Sequence, residues 1–392
     1  MNNKYILPIG FRTSGIYAGI KKNNKLDTGL IYSDAFCICE TLWTSNKLKS
    51  WHIIYDRKLE NNPIRAVFVN SGNANVLNGI DGLISILKIT RRLSEYLNIP
   101  QKSILMASTG KISKKMPDEN ILKNLSKLIS SVSSKDKKFP QAILTTDLKQ
   151  KTYTEFININ GKKVTITGVA KGSGMISPNL ATMLAFIMTD IDIEKKLLRI
   201  AVKKAVENSF NRITVDGDMS PNDSVFVLAN KMAGNKKIDK FDNNYKKFEI
   251  ALQKIFYALA EDIVRDGEGA TKFIKININN AKNLTQAKKA ARAVANSLLV
   301  KTAFFGCSLN FGRIISAIGS TGVDANVYKI ELMINGVFAL KNQKIINEKV
   351  VSDEMKKSDI VLDINLKSGR EKYFILTTDI SYNYVKINAD YT

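Results

Sequence analysis

Histidine is nearly absent. His52 is the single one in 392 residues, and it bounds the chemistry more tightly than any other feature. A Ser-His-Asp triad would have to use it, and a His-rich metal site cannot be assembled. Flanked by aromatic and β-branched residues in Trp51-His52-Ile53-Ile54-Tyr55, it reads most simply as a strand or surface position. The three cysteines, Cys37, Cys39 and Cys307, are too few and too irregularly spaced for a disulfide framework. Cys-Ile-Cys alternates as a strand does rather than spacing as a zinc knuckle, so a reducing, cytoplasmic setting is expected. No apolar run approaches the ~18 residues needed to cross a bilayer, and Met1 to Pro8 has too few apolar residues for a secretory leader. No membrane partner is expected.

Lysine, by contrast, is abundant. Lys and Arg total 59 against 36 Asp and Glu, a net charge of +23. Clustered on one surface, such an excess marks a nucleic-acid binder. Here it is spread along the whole chain among Asn and Ile, with no dense arm, which fits solvated faces and argues against a nucleic-acid partner. With 44% hydrophobic residues, the chain can build one large core or two ordinary ones.

Strand and helix patterns alternate, and no period of ~20 to 50 residues recurs that would indicate a solenoid. Arg65-Ala66-Val67-Phe68-Val69-Asn70 reads as a buried strand that runs through Ser71-Gly72-Asn73-Ala74-Asn75 into the helical spacing of Leu83, Ile86, Leu87 and Leu93. Asn160-Gly161 and Asn335-Gly336 each lie between alternating apolar runs, which predicts two antiparallel hairpins. Helical stripes are expected at Leu197, Ile200, Ala201 and Ala205, at Phe248, Leu252, Ile255 and Leu259, and from Thr285 to Leu299. The Lys-rich runs 111–115, 133–138 and 235–240 read as solvated loops. Helices mixed with hairpins imply an α+β fold, a layered α/β sandwich whose sheet contains antiparallel pairs.

The densest constellation runs from Gly168 to Phe186. Lys171, Gly172, Ser173 and Gly174 are followed by Ser177-Pro178-Asn179, then Ala181-Thr182 and the apolar run Met183 to Met188. As a phosphate loop it is poor, because Lys171 precedes the glycines instead of following them. A glycine-rich turn with Lys171 as a solvated charge accounts for it equally well.

Set beside the rest of the chain, this constellation resembles the ornithine acetyltransferase family of arginine biosynthesis. The matching segments include Gly10-Phe11-Arg12-Thr13-Ser14-Gly15-Ile16, Ala18-Gly19-Ile20-Lys21, Val69 to Asn75, Ser108-Thr109-Gly110, Thr145-Thr146-Asp147, Ala170 to Met175 and Ala181 to Leu184. They continue with Thr214-Val215-Asp216-Gly217-Asp218, Val264 to Lys272, Lys301-Thr302-Ala303, Gly312-Arg313-Ile314 and Ile387-Asn388-Ala389. The resemblance spans nearly the whole chain in family order.

It implies a fold of the self-processing N-terminal-nucleophile type. The precursor would cut itself between Ala181 and Thr182 into an alpha chain, 1–181, and a beta chain, 182–392, that assemble as α2β2. Thr182 would be the nucleophile, carrying acetyl from N2-acetylornithine to glutamate. Its new α-amine, with a pKa of about 7.7 to 8.0, would serve as base and acid in a protein without a catalytic imidazole. Thr109 and Gly110 match the family's oxyanion hole. Substrate contacts carried over are Thr145 (chosen over Thr146), Lys171 for a carboxylate, Thr182, Glu268 for an ammonium, Asn388, and the final residue Thr392. No metal or tightly bound cofactor is implied, and acetyl-CoA is left open as a second acetyl donor.

The chain departs from the family pattern at Lys111-Ile112-Ser113, at Met219 and Pro221, and at Cys307-Ser308-Leu309, the last two sets lying outside the catalytic matches. Two other readings compete. One is an N-terminal-nucleophile aminopeptidase, in which water takes the acyl group. The other is a basic nucleic-acid-binding protein, whose binding would weaken steeply with salt.

Overall fold

Asn160 and Gly161 both take positive φ, 50° and 80°, as do Asn335 and Gly336 at 49° and 83°. Each pair closes an antiparallel hairpin, because only a turn with this handedness matches the twist of the strands it joins. The structure, a computed structural model, describes residues 5–177, 183–308 and 310–390. Among these the strands form two sheets.

Strands β1 (Phe11–Ile16), β2 (Thr28–Trp43), β3 (Ile64–Asn73), β4 (Ile104–Lys111), β5 (Lys151–Ile159), β6 (Lys162–Lys171), β7 (Leu184–Thr189) and β8 (Ser224–Ala229) make the first. Its order is β4-β3-β2-β8-β7-β6-β5, with β1 also on β2. The β3–β4 and β7–β8 pairs are parallel and the others antiparallel. The 16-residue β2 holds this sheet together: its first half pairs with β1 and β3, and Ile38 to Trp43 pair with β8. Cys37 and Cys39 alternate with Ile38 on it, both buried, as the sequence predicts.

On one face, the helices Asp81–Leu97 and Asp118–Ser130 cover Phe68 and Met106 with Ile86, Ile89, Leu93, Ile121 and Leu125. Farther along, the helix Asn243–Arg265 lies so close over β6 that a side chain at Gly168 would meet Ile255 and Leu259. The opposite face is aromatic. Phe186 stacks on Phe226 at 5.2 Å and meets Phe139 edge-on at 5.5 Å, among Val169 and Leu184. Each such burial contributes about 1.5–3 kcal/mol.

The second sheet comprises β9 (Phe273–Ala281), β10 (Glu331–Ile334), β11 (Val337–Lys341), β12 (Lys344–Ile345), β13 (Asp359–Asn365) and β14 (Glu371–Thr378), ordered β12-β11-β10-β13-β9-β14. The helix Leu284–Asn296 sets Ala287, Ala290, Ala291 and Val294 on Ile274, Ile276, Ile278 and Ile375. The single Ala-rich helix expected from Thr285 to Leu299 is in fact two. Ser297 leaves helical geometry and caps a new helix, Leu298–Phe305, by accepting from the Val300 N–H.

A second difference concerns His52. Trp51–Asp56 is a helix, not a strand, and His52 is fully buried within it. The buried positions 52, 53, 55 and 56 around an exposed Ile54 follow helical spacing, but six residues are too few to separate that period from a strand's. The run 133–138 is the exposed loop the sequence predicts, tied down by Ser133, which bridges Thr13, and by Asp136, which accepts from the Thr13 hydroxyl at 2.9 Å.

The chain forms two compact units. The first comprises 1–172, 179–211 and 218–263, and the second 173–178, 212–217 and 264–392. Neither coincides with the chain boundary expected at Ala181 and Thr182, because β6 and β7 are neighbours in the first unit's sheet, with Lys171 paired to Leu184. Those two residues and Thr392 lie outside the described residues.

Candidate active site

In the first unit, β4 runs parallel to β3 as far as the Ser71–Thr109 and Gly72–Gly110 pairs, where the register slips at Asn73. The slip brings the two backbones together. Gly110 takes φ 128°, and a Cβ there would overlap the backbone of Gly72 and Asn73, so the position requires glycine. Thr109 beside it is 5% exposed.

Lys171 ends β6 on the same face as Val169, at the margin of the aromatic core. The solvated-charge reading fails, since its side chain is 3% exposed. A buried ammonium is costly unless paired. Here Nζ lies 3.9 Å from Asp147 Oδ2 and donates to Thr109 Oγ1 at 3.5 Å. Accepting from Lys171 leaves the Thr109 hydroxyl hydrogen to be donated elsewhere.

Asp147 is the hub of this cluster. Its enclosed carboxylate accepts from Lys151 Nζ at 2.7 Å, from the Gly172 N–H at 2.6 Å and from the Thr145 N–H at 3.0 Å. Burial alone would raise this carboxyl, but Lys171 and Lys151 outweigh burial and hold it well below the usual carboxylate range. Nearby, Lys21 Nζ donates to Leu144 O at 2.6 Å and Leu26 O at 2.8 Å. Burial, with Lys171 adding repulsion, brings Lys21 down to about 8 against the pull of Asp27 and Asp147. Thr109, Gly110, Thr145 and Lys171 thus belong to one unit, and Thr109, Thr145 and Lys171 share one polar network.

Glu268 and Asn388 are placed in the second unit. Asn388 Nδ2 donates to Glu268 Oε2 at 2.9 Å, and the Glu268 N–H donates to Ser173 O at 2.9 Å. The Glu268 carboxylate lies directly over Gly174, where any side chain would collide with it. This pair is half-buried to exposed, unlike the Lys171 network.

His52 is excluded as a base by its contacts. Ser224 Oγ donates to Asn222 O at 2.8 Å, so His52 Nε2 must donate to Ser224 Oγ at 3.0 Å, and Nδ1 accepts from Ser50 Oγ at 2.8 Å. Burial holds the ring neutral, with its pKa down at about 3.

Sequence reasoning missed Asp147, Lys151 and Lys21 as members of the network. The signal for two of them was present, since Asp147 and Lys21 both fall inside matching segments; Lys151 had none.

Two sheet-based α+β units, one of them enclosing an ammonium-backed threonine hydroxyl next to an obligatory glycine, define a layered α+β sandwich protein with a buried charged network at the end of β4. The chain belongs to the ArgJ family, whose model matches residues 12–392. The arginine biosynthesis bifunctional protein ArgJ of Caldanaerobacter subterraneus is 39% identical over all of this chain and 99% of its own length. Its namesake in Geobacter sulfurreducens is 39% identical over 97% of this chain and 98% of its own. The crystal structure of the Bacillus halodurans arginine biosynthesis bifunctional protein ArgJ is 37% identical, covering 52% of this chain and 97% of that one, with a TM-score of 0.50. Among the described residues no helix is long and apolar enough to cross a membrane.

Proposed function

We propose that this chain is a self-processing glutamate N-acetyltransferase of arginine biosynthesis, moving acetyl from N2-acetylornithine to glutamate through an ester on Thr182. The precursor cuts itself between Ala181 and Thr182, and the β6–β7 ladder supports continued association of the products, which assemble as α2β2 in the cytoplasm. In the first half-reaction, Thr182 Oγ attacks the acetyl carbonyl while the Thr182 α-amine takes the hydroxyl proton. The tetrahedral oxyanion is held by the Thr109 hydroxyl and the Gly110 N–H, and collapse expels ornithine's α-amine, which takes that proton. Glutamate's amine then attacks the ester and reverses the sequence.

Lys171 pairs with a substrate α-carboxylate and Glu268 with the ornithine ammonium, with Thr145, Asn388 and Thr392 completing the contacts. Acetyl-CoA serves as a second acetyl donor, in keeping with relatives named bifunctional proteins. The observation that carries the reading is the buried Lys171 ammonium donating to Thr109, which frees that hydroxyl to stabilise an oxyanion.

A denaturing mass spectrum of the purified protein, taken before and after N2-acetylornithine, tests it. Two chains split at Ala181–Thr182, with an acetyl adduct on the second that disappears on adding glutamate, is the expected result. An intact chain without an adduct refutes the proposal, and release of free acetate without glutamate would favour the aminopeptidase-like hydrolase.

A further inference from the structure

Asn222 and Asp223 lie in the segment whose departures from the family pattern, Met219 and Pro221, put it outside the catalytic matches. Both side chains bond to backbone beside the site residues. Asn222 is buried, and its Nδ2 donates to Ser108 O at 2.7 Å and Ala74 O at 2.6 Å, using both of its hydrogens. The Ser108 carbonyl shares a peptide plane with the Thr109 N–H, and the Ala74 N–H is itself bonded to Lys111 O at 2.9 Å. Asn222 therefore clamps the strand end that carries Thr109 and Gly110 to Ala74, just past the end of β3. From the other side, Asn222 O is held by the Ser224 hydroxyl that His52 orients.

Asp223 reaches the opposite way. Its Oδ1 accepts from the Met183 N–H at 2.8 Å. The Ser224 N–H closes the link by donating to Met183 O at 3.1 Å, where β7 and β8 begin side by side. Asp223 is fully buried, and its Oδ2 has no hydrogen-bond partner among the described residues. Burial pushes this carboxyl well above its ordinary range.

We infer that Asn222 and Asp223 are a positioning pair for acyl transfer: Asn222 sets the oxyanion donors, and Asp223 holds the Met183 N–H, next in sequence after the proposed nucleophile. Because the two residues are adjacent in the chain, one peptide bond ties the end of β4 at Ser108 to the Met183 N–H at the start of β7. The inference rests on the acetyl-transfer reading. Misplacing reacting groups by about 1 Å costs roughly 10²-fold in rate.

The test follows acetyl-enzyme formation in a single turnover by intact mass, counting processed molecules. Asn222→Ala should slow it about 10²-fold, with KM for N2-acetylornithine within about threefold of the parent. A folded Asn222→Ala chain that no longer cuts itself is the same result one step earlier. Asp223→Leu should show a like loss, whereas Asp223→Asn, which keeps an oxygen acceptor for the Met183 N–H, should stay within about threefold. If Asn222 acts through Thr109, the double variant Asn222→Ala/Thr109→Val should be little slower than the slower single variant.

Wild-type rates in folded Asn222→Ala and Asp223→Leu overturn the pairing, as does an Asp223→Asn loss equal to that of Asp223→Leu. Should Asn222→Ala fail to fold, Asn222→Ser, which retains one donor, takes its place. Absence of any acetyl adduct on the wild-type protein would instead defeat the acetyl-transfer reading itself.

Discussion

Lys171 and Glu268 are both charged candidates for substrate contact, yet they occupy opposite electrostatic settings. Lys171 is enclosed with Asp147, Lys151 and Thr109, so each charge there depends on its neighbours to offset lost hydration. Glu268 meets the Asn388 amide at a partly solvated surface. Charges of the first kind fix geometry and stability together, because removing one strands another in a low-dielectric interior. Those of the second kind can contribute to recognition while contributing little to folding.

The sharpest way to break this comparison is Lys171→Met. It leaves Asp147 buried with one cation fewer, and should lower unfolding free energy by about 3 kcal/mol in urea while cutting kcat/KM at least ~10²-fold. A variant as stable as the parent would show that the network is not energetically coupled.

Acid titration comes next. The folded His52 pKa, about 3, lies below the unfolded value near 6.5. The unfolded chain therefore binds the extra proton between those values, and stability present above about pH 6.5 drains away as pH falls toward 3, by roughly 4 kcal/mol in all. The depressed Asp147 carboxyl adds its own loss once pH drops below about 4. Denaturant melts across this range should show the decline, and His52→Gln should flatten its upper part.

Thr109→Val separates function from stability within the buried region. It removes one oxyanion donor and keeps the shape, so kcat should fall about 10²- to 10³-fold with little change in Tm. Smallest of all are the changes at the exposed pair. Glu268→Gln should raise KM for N2-acetylornithine about tenfold, and Asn388→Ala about threefold, both within ~0.5 kcal/mol of parental stability. A large loss of stability at either position would erase the distinction between the two regions.

Much of the architecture was legible because its signals are local. The Asn-Gly hairpins, the strand through Val67, the Cys37–Cys39 alternation and the stripes at Leu197 and Phe248 depend on turn chemistry and period alone. What could not be read was burial of short or charged segments. Lys171 looks solvated until a sheet closes over it, and Trp51–Asp56 is too short to declare its period. The break at Ser297 was hidden by alanines on both sides, whose helical preference says nothing about where one helix yields to the next. Asn222 and Asp223 gave no sign, since their partners, Ala74, Ser108 and Met183, are met through backbone atoms.

By itself, then, the sequence determined the class of fold, the scarcity of imidazole that narrows the chemistry, and, through motifs in family order, the family and its candidate residues. The tertiary structure alone decided which of those charges are buried. It set Lys171 against Thr109, made Asp147 the hub, turned His52 into a neutral brace and aimed Asn222 and Asp223 at two different strands. The physical reason is that desolvation and hydrogen-bond partnership belong to the space around a side chain, and residues 62 or 114 positions apart come to share that space only when the sheet has formed.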